Sequence, residues 1–85
     1  MLDVRTSLLL EKINTLCGEG GFQIAEESDL LASFPAAYKV GKDELSRIMR
    51  HLEASGYIEI KYAEDGVYCL CPLPQGRLYF ETLRE

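Results

Sequence analysis

The segment Glu44–Ile60, ELSRIMRHLEASGYIEI, constrains the fold of this chain more than any other stretch. Leu45, Ile48, Met49 and Leu52 recur at i, i+3, i+4 and i+7, the apolar stripe of a helix lying on a core. The spacing predicts a helix from Lys42 to Ser55, with Gly41 near its start and Gly56 as its stop. The period then changes at once from helical to alternating. Ile58, Ile60 and Tyr62 alternate with Glu59, Lys61 and Ala63, as in a strand with one covered face. Asp65-Gly66 is a two-residue turn signal, so YIEIKYAEDGVYCLCPL is expected to form a hairpin. A regular register sets Tyr62 opposite Cys69, Ile60 opposite Cys71 and Ile58 opposite Leu73, making one face wholly apolar. The same register turns Tyr68 and Leu70 outward beside Glu59 and Lys61, as candidate partner contacts.

The flanking sequence supplies further elements. Asp3 can cap a first helix that runs to Cys17 and ends at Gly18 with Gly20-Gly21. Leu9, Ile13, Leu16 and Cys17 are its expected core stripe, with Leu2 and Thr6 on the same side. Val4 and Leu8 lie on a different face. They either pack under another element or touch a partner, and the spacing leaves both open. Phe22-Gln23-Ile24 reads as a short strand, and Glu26–Ser33 as a second helix whose first-turn acids suit the helix dipole. Phe34-Pro35 ends that helix, and PAAYKVG is a connector. Pro74 opens a C-terminal helix with Tyr79, Phe80 and Leu83 on one side. The expectation is a single α+β domain over residues 1–85.

The composition excludes several classes. Apolar residues make up 47%, too many for a disordered chain, and no run approaches the roughly 18 residues of a membrane span. The N-terminal segment has an early Asp3 and no small-residue cleavage site, so no export leader is expected. Three cysteines without such a leader indicate reduced thiols and a cytoplasmic location. Cys69-x-Cys71 lacks the spacing of zinc and redox motifs. Small core hydrophobes are a simpler assignment for the cysteines than a metal site with His51. The Gly-rich GEGGF follows a helix and precedes a short strand, the wrong context for a dinucleotide loop. No nucleophile with an evident base is visible, so neither an enzyme nor a cofactor is expected.

The net charge is −5, yet the charge is uneven. Between Tyr38 and Leu52, Lys39, Lys42, Arg47 and Arg50 outnumber Asp43 and Glu44, leaving +2 there and −7 elsewhere. The element order helix, short strand, helix, helix, hairpin, helix resembles the winged helix-turn-helix family. The most specific stretch is VGKDELSRIMRHLEASGYI, which is similar to the third helix of MarR- and GntR-type bacterial regulators. PLPQGRLYFE resembles the segment that follows their hairpin wing.

The resemblance implies binding to double-stranded DNA with the third helix in the major groove. The matching positions are Lys39, Lys42, Ser46, Arg47 and Arg50, with Asp43 among them, His51 at the margin and Lys61 on the wing. A homodimer is expected, because so few basic residues would hold one half-site weakly and a second copy supplies another set. The wing tip Ala63-Glu64-Asp65-Gly66 departs from the family by being acidic, and Asp43 is spaced to pair with Arg47. A protein-interaction module of the same fold is the alternative, with Val4, Leu8, Tyr68 and Leu70 as its contacts.

Overall fold

The first helix starts where its cap can form. Asp3 is extended, and its carboxylate accepts a hydrogen bond from the Thr6 backbone N–H at 2.8 Å, satisfying a donor that the first turn would leave unpaired. The computed structural model describes residues 2–18 and 21–84, with side chains described as far as Glu81. The expectations for Gly20 and for the side chain of Leu83 lie outside the described residues.

Helix α1 (Val4–Cys17) buries Leu9, Leu10 and Ile13 completely, with Thr6 and Cys17 beside them. Leu16, expected in this stripe, is 39% exposed, and Leu10 takes its place. The stripe is centred between Leu9 and Leu10, which leaves Leu16 at its margin at about 100° per residue. Leu8 is half-buried against the core, whereas Val4 is 58% exposed.

Strand β1 (Gln23–Glu26) leads into the five-residue helix α2 (Glu27–Leu31), shorter than expected, which contributes the fully buried Leu30. A single 3₁₀ turn, Ala36–Tyr38, interrupts the connector. Helix α3 (Lys42–Ala54) buries Leu45, Ile48, Met49 and Leu52 as its spacing requires. Strands β2 (Ile58–Glu64) and β3 (Val67–Pro72) form the hairpin, and helix α4 (Pro74–Arg84) follows. The described residues thus form an α+β structure, four α-helices with a three-stranded antiparallel sheet of order β1-β3-β2. No helix among the described residues is long and apolar enough to cross a membrane.

The hairpin turn has φ of 53° at Asp65 and 74° at Gly66, the double left-handed conformation that two-residue hairpins require. Tyr62 pairs with Cys69 as the sequence predicts. The register then shifts between Ile60 and Tyr62, so Ile60 pairs with Leu70 and Ile58 with Pro72. Lys61 is the extra residue of this bulge, and it reverses the side-chain parity of β2. Two expectations are corrected as a result. Leu70 points inward and is fully buried, so it is not an outward contact, and Tyr68 lies on the inner face, half-buried against the core. Tyr62 turns outward instead, 40% exposed, while Ile58 and Ile60 stay on the covered face.

Helix α4 closes the core against α1 and the start of β2. Asn14 Nδ2 donates to the Gly76 carbonyl at 3.1 Å, the Leu2 N–H donates to the Tyr79 hydroxyl at 2.9 Å, and Tyr79 meets Tyr57 edge-on at 5.6 Å. Gly76 is needed for this approach, because a β-carbon there would collide with the Tyr57 carbonyl. That carbonyl already accepts from the Leu73 N–H at 2.9 Å and is not free to move aside.

Gly76→Ala should therefore cost about 1–3 kcal/mol through overpacking, read as a lower urea midpoint with an unchanged slope. Asp3→Ala should cost about 1 kcal/mol near neutral pH. The Thr6 hydrogen bonds hold the Asp3 carboxyl below its ordinary 3.8, helped by the charges of Arg5 and His51. The cap contribution is therefore complete above pH 3.8 and lost as pH falls through the lower folded value. Thermal melts of wild type and variant should converge in strong acid.

Candidate functional site

The stripe that buries one side of α3 commits its other side to solvent. Lys42, Asp43, Arg47, Arg50 and His51 are exposed there and Ser46 is half-buried. Lys39 joins them from the end of the 3₁₀ turn, held in the left-handed region with φ 50°. A further cation comes from α1. Arg5 Nη2 donates to the Tyr38 carbonyl at 3.2 Å, and its guanidinium lies 5.4 Å from the Tyr38 ring centre. Its Nε is 3.6 Å from Glu44 Oε2. Nothing in the sequence pattern singles out Arg5, since its place beside α3 depends on how α1 and the connector pack.

Part of this charge is already paired. Glu44 holds Arg47 at 3.4 Å as well as Arg5, and Glu27 lies 3.9 Å from Lys42. Arg47 thus pairs with Glu44 at i, i+3, where the sequence suggested Asp43 at i, i+4. All three pairs have a well-exposed cation and contribute little energy. Among the described residues, Lys39, Arg50 and His51 have no ion pair.

The two ends of the α3 surface differ. Between α3 and the hairpin lies a groove of about 470 Å³ whose apolar lining includes Met49, Ile60 and Tyr68. Its charged groups are Glu27, Glu53, Glu64 and Asp65 against Arg50, so the groove is acidic. Burial, and then the nearby Glu27 charge, push the Tyr68 phenol up. The hairpin does not extend beyond the sheet as a free arm. β1 pairs with β3 as far as Val67, next to the turn, and the Glu27 N–H donates to the Gly66 carbonyl at 2.8 Å.

Of the other expected DNA contacts, His51 stays beside the cations of α3 and Lys61 does not. His51 opens into a cleft of about 330 Å³ with Asp3, Arg5 and Arg47, on the α1 side of α3. The Lys61 ammonium lies 5.6 Å from the Phe22 ring centre, over the outer face of the sheet rather than in the groove beside α3. The bulge at Lys61 explains that placement.

The three cysteines are unpaired thiols. The Cys17 Sγ–H donates to the Leu70 carbonyl at 3.7 Å, and burial pushes that thiol up. No group of three or more His, Cys, Asp or Glu among the described residues is arranged to hold a metal ion. Comparison with protein-family models, with curated proteins and with solved structures finds no match to this chain.

Because the Glu44 pairs are exposed, Glu44→Gln should change stability by less than about 1 kcal/mol in urea denaturation. It should also release Arg5 and Arg47 together, visible as altered guanidinium signals of both residues in NMR spectra.

Proposed function

We propose that this chain is a winged helix-turn-helix domain that binds double-stranded DNA through α3. The order of its elements, with a short β1 beside the returning strand of the hairpin, is in keeping with that fold. The observation that carries the reading is the convergence of cations from three parts of the chain. Arg5 from α1, Lys39 from the 3₁₀ turn, and Lys42, Arg47 and Arg50 from α3 border one exposed helix face.

In this reading α3 enters the major groove. Arg47 and Arg50 have the fork geometry for guanine O6 and N7, and Ser46 is a short donor beside them. Arg5 and Lys39 meet phosphates on the α1 side of α3, and Lys42, 3.9 Å from Glu27, meets one nearer the groove. Glu64 and Asp65 repel the backbone, so the hairpin stays clear of the duplex. Three or four phosphate contacts give a slope of about −3 for log K against log salt, which is weak binding for one copy. A homodimer would double the contacts. The three thiols suit a reducing cytoplasm. The acidic groove favours a second reading, in which the same fold binds a protein rather than DNA.

The test is binding to fluorescent duplex DNA of mixed sequence across a salt series. Wild type should bind at low salt and weaken with the slope above, and Arg47→Glu/Arg50→Glu should abolish binding. Lys39→Gly should lower the slope by about one while raising stability by about 1 kcal/mol or less, because glycine relieves the left-handed backbone. A folded wild type that fails to bind at low salt would exclude the DNA reading. Sedimentation checks the dimer, since a monomer at high protein concentration counts against it.

A further inference from the structure

The face of the sheet opposite the helices carries a pattern that DNA binding does not use. The bulge puts Tyr62 on this face beside Cys69, and Ile24 pairs with Cys69 from the other side. Ile24 is 63% exposed, and Phe22, two residues earlier, continues the apolar surface. Three of the exposed large hydrophobic residues are thus gathered on one side of one sheet. Ordinary exposed apolar residues are scattered singly.

Carboxylates frame this patch. Glu26 pairs with Val67 at one end of the sheet, and Glu59 pairs with Cys71 towards the other. By the alternation of strand side chains these two acids share the face with Ile24 and Tyr62. Among the described residues neither of the two has an ion pair. Burial, and then the Glu59 charge, push the Cys71 thiol up, and the Arg77 charge opposes them. Lys61 lies on the Phe22 ring over this face, 5.6 Å from the ring centre, against the two acids Glu26 and Glu59.

The size of the patch restricts its occupant. Six residues of β3 at about 3.3 Å each and three strands about 4.8 Å apart outline roughly 300 Å². A second globular copy would need about 800 Å² per partner, and its own acids would oppose these. An α-helix with side chains is about 10 Å across and matches the width of three strands.

We propose that the outer sheet face of Phe22, Ile24 and Tyr62 docks an amphipathic helix from a protein partner, one whose apolar stripe is flanked by lysines or arginines. The apolar stripe covers Ile24 and Tyr62, and the flanking cations pair with Glu26 and Glu59. This surface is separate from α3 and does not depend on the DNA reading.

The probe is a synthetic amphipathic helix with leucines on one face and lysines on its flanks, and its counterpart carries glutamates instead of lysines. Titration is followed by amide NMR shifts. The wild type is expected to bind the lysine helix with shifts centred on Ile24, Cys69 and Tyr62, and to ignore the glutamate helix. Ile24→Ser/Tyr62→Ser changes two exposed side chains without changing charge, and should weaken binding by at least about tenfold. Glu26→Lys/Glu59→Lys should reverse the preference between the two helices. Arg47→Glu/Arg50→Glu should bind the lysine helix no more weakly than wild type. Shifts centred on the groove between α3 and the hairpin, or equal binding by Ile24→Ser/Tyr62→Ser, would overturn the proposal. So would self-association that this double variant abolishes, because a second copy would then be the occupant.

Discussion

Strand β3 is bonded along both edges, so its pleat sets the sidedness of the whole sheet. Leu70 points into the core, where α1 and α3 meet the sheet, and its neighbours Cys69 and Cys71 point away. Each flanking strand must match that parity. β1 does so with Ala25 inside and Ile24 outside. β2 starts with Ile58 and Ile60 inside, and a regular strand would carry Tyr62 inside as well. The turn fixes Tyr62 opposite Cys69, on the outer face. The two demands meet only if one residue is unpaired, and Lys61 is that residue.

The surfaces follow from this arrangement. Core residues of α3 lie against the sheet, so its charged face turns outward. The packing of α1 then brings Arg5 next to Tyr38 and Glu44. At the other end, the hairpin turn brings Glu64 and Asp65 to the groove beside Arg50. The protein therefore has a mildly basic side at Arg5 and Lys39 and an acidic side at the hairpin, where Glu27 already pairs with Lys42. An average charge of −5 hides that division.

Local rules were enough for much of this. The α3 stripe, the Asp3 cap and the Asp65-Gly66 turn follow from spacing and from single-residue conformational preferences, and all three are present. The bulge was not legible, because the alternation from Ile58 to Tyr62 is unbroken in the sequence. The parity conflict arises only when a third strand and the turn impose their own register. That one feature inverted the assignments of Leu70 and Tyr62 and moved Lys61 away from α3. Arg5 was hidden for a related reason, since its role is created by tertiary packing. Leu16 lost its place to Leu10 because α1 is covered from several directions, and a single stripe understates the buried width. Of the candidate site, the cations of α3 and Lys39 were legible from residue type and position, and their ion-pair partners were not.

The hydrogen bond from the Glu27 N–H to the Gly66 carbonyl has a further consequence. A hairpin tip normally keeps conformational freedom, and a ligand that contacts it must freeze that freedom. Here the tip is tethered on both strands and again at the start of α2, so little freedom is left to lose. The groove beside it is preorganised, and whatever enters meets a wall already in its final shape. The same tether has a cost in adaptability, because the tip cannot swing towards a ligand that does not already fit.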